Sequence, residues 1–226
     1  MKIGIITLWN QFDNYGGIIQ TFALQRYLRD LGHDAFVVRF GIKRPQPLKV
    51  RLKETIKSGL RCCGLYAQKK ISKIEQQRKE RNFIAFRNRY IKYSKKPFYN
   101  LEYLQHNYPK ADVYITGSDQ VWARSLENRE EEIYYLNFGN KETKRIAYAV
   151  SFGFNEFPCV DEKRFRELVG HFDAVSVREK NGLEICNERS IPATRCIDPT
   201  FLVNPETYKK FCLPVNIPKI MYIYIR

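Results

Sequence analysis

The chain has 226 residues, 44% of them hydrophobic, enough to bury a real core in one or two domains. Mean hydropathy is −0.47, and no apolar run approaches the roughly 18 residues that span a bilayer, which argues against a helical membrane protein. The net charge of +15 comes from 39 basic and 24 acidic residues; 18 of the bases and three of the acids lie between Lys43 and Lys96, leaving 21 of each elsewhere.

Ile3 to Leu8 is an apolar run of strand length, followed by polar Asn10, Gln11, Asp13 and Asn14 and then Gly16-Gly17. From there Ile18, Phe22, Leu24, Leu28 and Leu31 share one broad helix face, and Gly32 is placed to end that helix. Ala35 to Phe40 reads as a second strand. Strand, glycine loop, helix, strand is a βαβ opening of the doubly wound kind. The apolar start of the chain is too short for a signal peptide and lacks a small-residue cleavage site. The expected compartment is the cytoplasm. Cys62, Cys63, Cys159, Cys186, Cys196 and Cys212 form no C-x-x-C pair and no zinc spacing, so they are expected as reduced thiols.

Pro45 and Pro47 close that unit. Leu48 to about Tyr93 is helical in composition, basic and broken near Gly59 and Gly64, so residues 43–96 read as a basic helical insertion outside the sheet. Such charge attracts phosphates, nucleic acid or an anionic membrane surface. No nucleic-acid recognition pattern accompanies it, which leaves a solvated insertion, an anionic lipid surface or a phosphorylated acceptor. Strand signals return at Val113–Thr116, Arg145–Val150 and Ala174–Val177, with helices over Glu162–Phe172 and about Glu179–Asn187. Thr194 to Ile197 is a short further strand that ends at Asp198-Pro199-Thr200. The expected fold class is therefore α/β: a Rossmann-like parallel sheet with helices on both faces, covering residues 1–213. Pro214 and Pro218 then flank a linker, and Ile220–Ile225 reads as the first strand of a second α/β domain or as an edge strand of the same one.

Ligands of open α/β sheets bind at the carboxyl ends of the strands, and five such loops carry candidate chemistry. In Trp9–Gly17 the glycines open backbone N–H groups and a helix N-terminus to an anion, or simply make a βα turn. In Gly117–Trp122, Asp119 suits proton transfer or hydroxyl binding, or else helix capping; Trp122 suits core or pocket wall. Ala147–Gly153 ends in Ser151 and fits an anion-contacting loop or a tight turn. In Val175–Glu179, Arg178 offers a bidentate fork to phosphate or carboxylate, or pairs with Glu179 or a sheet-edge acid. Asp198-Pro199-Thr200 reads as mainly structural, its proline holding Asp198 extended. The three histidines suggest no metal site.

Six strings in order carry a family resemblance. They are Ile3–Leu8 leading to Asn14-Tyr15-Gly16 and Leu24-Gln25; Gly117 to Trp122; Tyr135 to Phe138; Ala147 to Gly153; Ser176 to Glu179; and Asp198-Pro199-Thr200. Together they resemble the polysaccharide pyruvyl transferase family. The resemblance implies two Rossmann-like domains facing across a cleft, as in GT-B glycosyltransferases. It implies transfer of pyruvate as a ketal from phosphoenolpyruvate to two hydroxyls of a glycan, with no further cofactor and no metal. On that footing Arg178 contacts the donor's anionic groups, and Asp119 with Ser118 serves the acceptor hydroxyls or acid–base chemistry. Asn14, Tyr15, Gly16, Gln120 and Ser151 complete the substrate-binding set.

Family members run well beyond this length, so the resemblance also implies a largely absent second domain. The expected product is a truncated or split enzyme, inactive alone unless a separate C-terminal half joins it. The acceptor is expected to be a glycan, in one version lipid-linked and met at the cytoplasmic membrane face through residues 43–96. The rival readings are a GT-B-type sugar-nucleotide glycosyltransferase and a non-catalytic glycan- or partner-binding remnant.

Overall fold

A computed structural model describes residues 1–9, 14–41, 80–123, 126, 128–153, 157 and 162–212. The expected strand at Ile220–Ile225 and most of the basic segment, 42–79, lie outside the described residues. Six parallel strands form one sheet: β1 (Lys2–Ile6), β2 (Asp34–Val37), β3 (Val113–Thr116), β4 (Lys144–Val150), β5 (Ala174–Val177) and β6 (Thr194–Arg195). Their spatial order is β2-β1-β3-β4-β5-β6. The chain steps outward from β1 to β2, returns across β1 to β3, and continues to the far edge. The reversal between β1 and β3 is the switch point at which such sheets open a crevice.

Both faces are covered, which is why the central strands read as apolar runs rather than alternations. Ile3, Ile5, Val37 and Ile115 face α1 (Tyr15–Asp30) through its Phe22 and Leu24. Ile6, Phe36 and Tyr114 face the other way, onto Leu101 and Leu104 of a short helix, Leu101–Asn107, and onto a 3-10 segment, Arg129–Tyr135. Toward the far edge, Ala147, Val150 and Val177 pack on Phe165 and Leu168 of the helix Glu162–Val169 and on Ile185 of the helix Lys180–Glu188. Trp122 is fully buried there, stacked on Tyr135 with ring centroids 5.3 Å apart, so of core and pocket wall it is core.

The end of the basic segment belongs to the core. Residues 80–90 are helical, and Phe86 and Tyr90 lie edge-on against Phe22 of α1 and against Phe211. Tyr93 then bridges to Val37 beside β2, where the Ser94 N–H donates to the Val37 carbonyl at 2.8 Å. None of the six strands comes from this stretch, and its described C-terminal end packs on the core and meets β2 only through an isolated bridge. Charge dominated the count there, while the aromatic spacing is what folds. Among the elements that sequence periodicity did not show are the helices Leu101–Asn107 and Pro205–Lys209, both too short for a clear repeat.

One polar cluster ties this frame together. Glu132, 6% exposed, takes Arg164 bidentately, with Nε to Oε1 at 2.9 Å and Nη2 to Oε2 at 2.8 Å, and also accepts from Asn137 Nδ2. Burial pushes the Glu132 carboxyl up, but the Arg164 and Asn137 hydrogen bonds outweigh it and hold the group below its ordinary value. Such a carboxylate contributes stability above its unfolded value of about 4.3, and loses that contribution as the pH falls through its lower folded value. Arg164→Ala is expected to lower stability by about 2–3 kcal/mol at neutral pH, less than for a fully buried pair because Arg164 is partly exposed. Urea midpoints at pH 7 and pH 3 check this: the loss should shrink toward the lower pH.

Candidate functional site

The β3–Trp122 loop is built to hold one shape. Gly117 sits at φ +113, where a Cβ would lie 2.2 Å from the carbonyl oxygen of Tyr148 on β4. Its N–H donates to the Ile6 carbonyl at the end of β1. Next, Thr7 Oγ1 donates to the Ser118 carbonyl at 3.2 Å, and Ser118 Oγ lies 3.0 Å from the Ala149 carbonyl. The Ser151 N–H then donates to the Asp119 carbonyl at 3.0 Å. Asp119 itself adopts φ +79, a left-handed backbone that costs a non-glycine residue energy and persists only where neighbours enforce it. Among the described residues no helix follows directly for Asp119 to cap; Val121 and Trp122 form a turn.

Asp119 borders a cleft of about 370 Å³ at the β1/β3 switch point. The start of α1 supplies Asn14, Gly16 and Gln20; the end of β5 supplies Arg178; the turn after β6 supplies Asp198 and Phe201. Asn14 caps α1, its side chain accepting from the Gly17 N–H at 2.9 Å. Phe201 is 77% exposed beside the cleft.

The charged groups differ in how far they are satisfied. Asp119 Oδ1 accepts from the Gln120 N–H at 2.9 Å, whereas Oδ2 is buried with no hydrogen-bond partner among the described residues. Burial raises the Asp119 carboxyl above its ordinary value; the Gln120 N–H and Arg178 pull it down, and Asp198 adds to the rise. Arg178 gives Nε to Glu179 at 2.7 Å and Nη1 to Asp198 at 3.0 Å, so two of its five N–H donors are spent on carboxylates. Gln20, 3% exposed, donates from Nε2 to Thr7 Oγ1 and to the Gly17 carbonyl. That carbonyl can only accept, which fixes the amide's orientation and leaves Oε1 buried without a partner among the described residues.

Of the eight residues singled out from the sequence, the cleft brings together Asn14, Gly16, Asp119 and Arg178. Ser118 and Ser151 are fully buried beneath it and act on the loop backbone. Tyr15 is 75% exposed and lies on Phe83 with ring centroids 4.5 Å apart, and Gln120 is exposed beside Gly153. Gln20 and Asp198 are cleft residues that sequence reasoning did not select. Gln20 carried a signal: with Thr21 and Gln25 it places polar groups on the face of α1 that packs inward. Asp198 carried only turn chemistry, and it does cap the 3-10 turn Pro199–Phe201.

A family model described as polysaccharide pyruvyl transferase matches residues 14–225, a span that holds every cleft residue named above. No curated protein and no solved structure matches the chain.

Proposed function

The chain belongs to the polysaccharide pyruvyl transferase family, and on that premise we propose that it moves the three-carbon unit of phosphoenolpyruvate onto two hydroxyls of a glycan, forming a pyruvate ketal and releasing phosphate. The proton balance of that reaction sets what the protein must supply. Two hydroxyls each form a bond to C2 of the donor and each lose a proton. C3 takes up one proton to become a methyl group, and the other leaves with phosphate as the C2–O bond breaks. A base near the hydroxyls that can also return a proton is therefore the central requirement.

The observation that supports Asp119 in this role is its unpaired carboxyl oxygen at the switch-point cleft, near the Arg178 guanidinium. Burial raises this carboxyl toward the working pH, where one group can both accept and give up a proton. Arg178 keeps N–H donors beyond those used by Glu179 and Asp198, and these serve the donor's carboxylate or phosphate. Asn14 and Gly16 border the acceptor, with Tyr15 and Gln120 at the rim, while Ser118 and Ser151 hold Asp119 in place. No described helix is long and apolar enough to cross a membrane. A lipid-linked acceptor reached from the cytoplasmic side completes the proposal, with basic residues such as Arg81, Arg89 and Lys95 toward the anionic surface.

The test is phosphate release from phosphoenolpyruvate by the purified chain, alone and together with a C-terminal half of the same family, against a panel of free and lipid-linked oligosaccharides, with mass spectrometry of the acceptor. The expected result is acceptor-dependent release and a mass gain of one pyruvate ketal with both halves present, and neither from the chain alone. Consumption of a nucleotide sugar without release of phosphate from phosphoenolpyruvate would overturn it in favour of a glycosyltransferase.

A further inference from the structure

Two carboxylates border the cleft, and their hydrogen bonding separates them. Asp198 Oδ1 accepts from the Thr200 N–H at 2.9 Å and from Thr200 Oγ1 at 2.8 Å. Its Oδ2 accepts from Arg178 Nη1 at 3.0 Å and from Ser118 Oγ at 3.2 Å. Three full donors, and a share of the one Ser118 hydroxyl proton that also faces the Ala149 carbonyl at 3.0 Å, take up most of the roughly four lone-pair positions of this carboxylate. Asp198 is therefore largely committed within the protein, whereas Asp119 has a whole oxygen unmatched among the described residues.

We propose that Asp198 is a positioning residue for Asp119, acting through Arg178 and Ser118 rather than on substrate. It joins the ends of three strands: Ser118 after β3, Arg178 after β5 and itself after β6. Ser118 shares the peptide unit that leads into Asp119, so the Asp198 carboxylate steadies that loop from below. Arg178, held by Asp198 on one side and Glu179 on the other, stays near Asp119 without closing on it as a full ion pair. An arginine free to turn would pair with Asp119 and hold it ionised, removing its ability to carry a proton back and forth.

The groups around Asp119 give the direction of the effect. From α1 come Asn14 and Gln20, both uncharged; from β5 come Arg178 and Glu179; from β6 comes Asp198. The Tyr148 hydroxyl is engaged with the Ile197 carbonyl and the Tyr208 hydroxyl with the Thr200 carbonyl. Removing the Asp198 charge takes away a like charge and releases Arg178 toward Asp119, and both changes favour the ionised form of Asp119.

This inference rests on the reading of Asp119 as the proton-transfer group, but its test needs no turnover. The full chain, labelled with 13C at its aspartate carboxyls, is titrated by NMR, with the Asp119 resonance assigned by its loss in Asp119→Asn. In Asp198→Asn the Asp119 midpoint is expected to fall by about one pH unit. In Asp198→Glu, which keeps the charge, it stays within a few tenths of the wild type. Should Asp198→Asn not fold, Arg178→Gln carries the test, with an expected rise of the Asp119 midpoint. A midpoint unchanged or raised in folded Asp198→Asn overturns the proposal, as does one unmoved in Arg178→Gln. Absence of pyruvyl transfer alongside the expected NMR pattern would sink the proposed reaction and leave this network standing.

Discussion

Asp119→Asn is expected to lower acceptor-dependent phosphate release by about 10²- to 10⁴-fold, the usual contribution of a positioned acid–base group. Asparagine is nearly isosteric and keeps an oxygen for the Gln120 N–H, so the loop geometry should survive. What is lost is the titrating oxygen. The same substitution should not destabilise the fold at neutral pH. A carboxyl whose folded value lies above its unfolded one binds its proton more tightly in the folded state. Its penalty is absent below the unfolded value, near 3.9, and grows as the pH rises through the folded value. Removing the charge therefore leaves stability at pH 7 equal or higher, a trade of stability for activity common at working sites. Turnover assays beside urea midpoints at pH 7 decide the matter. A variant that loses stability and keeps turnover would make Asp119 a structural residue.

Much of this arrangement is readable from residues alone, and the unreadable part has a physical cause. The strand at Val113–Thr116 falls where its apolar run puts it, because a strand buried on both faces needs continuous apolar side chains, and Ala174–Val177, exposed at its start, follows the valines Val175 and Val177. Asn14, Gly16, Asp119 and Arg178 meet because they close the strands beside the switch point, and strand order follows from the alternation of elements. Ser118 and Ser151 look no different from Asp119 in sequence. Only the close backbone approach of β4 to Gly117 decides which of these side chains is turned under the loop. Asp198 reads as a cap because it is one; its second pair of acceptor contacts lies 20 and 80 residues away in the chain. No local pattern reports pairings at that distance. In the basic segment the reverse holds, since Phe83, Phe86 and Tyr90 fall at helical spacing and mark an inward face amid charge.

Gly117→Ala is expected to be the most damaging single-methyl change near the cleft. Two effects add: φ +113 is a backbone region that L-residues avoid, and the new Cβ would lie 2.2 Å from the Tyr148 carbonyl oxygen and 3.1 Å from Val150 Cγ1. The nearer atom is backbone in a paired strand, with Thr116 in register with Ala147, so it cannot rotate away. Relief has to come from the loop, and the loop carries Ser118 and Asp119. The expected cost is about 3–5 kcal/mol, from a strained dihedral and an overpacked contact of about 1–3 kcal/mol each, upward in range because backbone opposes backbone. That corresponds to a fall in Tm of roughly 10 °C or more for a domain of this size. Activity should fall further than stability implies, since a displacement of about 1 Å at a reacting group costs about 10²-fold. Gly32→Ala is the matched control: its φ of +84 is also left-handed, yet a Cβ there meets nothing within 4 Å. It should cost about 1 kcal/mol and leave turnover alone. Equal losses in the two variants would mean that the dihedral, and not the approach of β4, is what Gly117 provides.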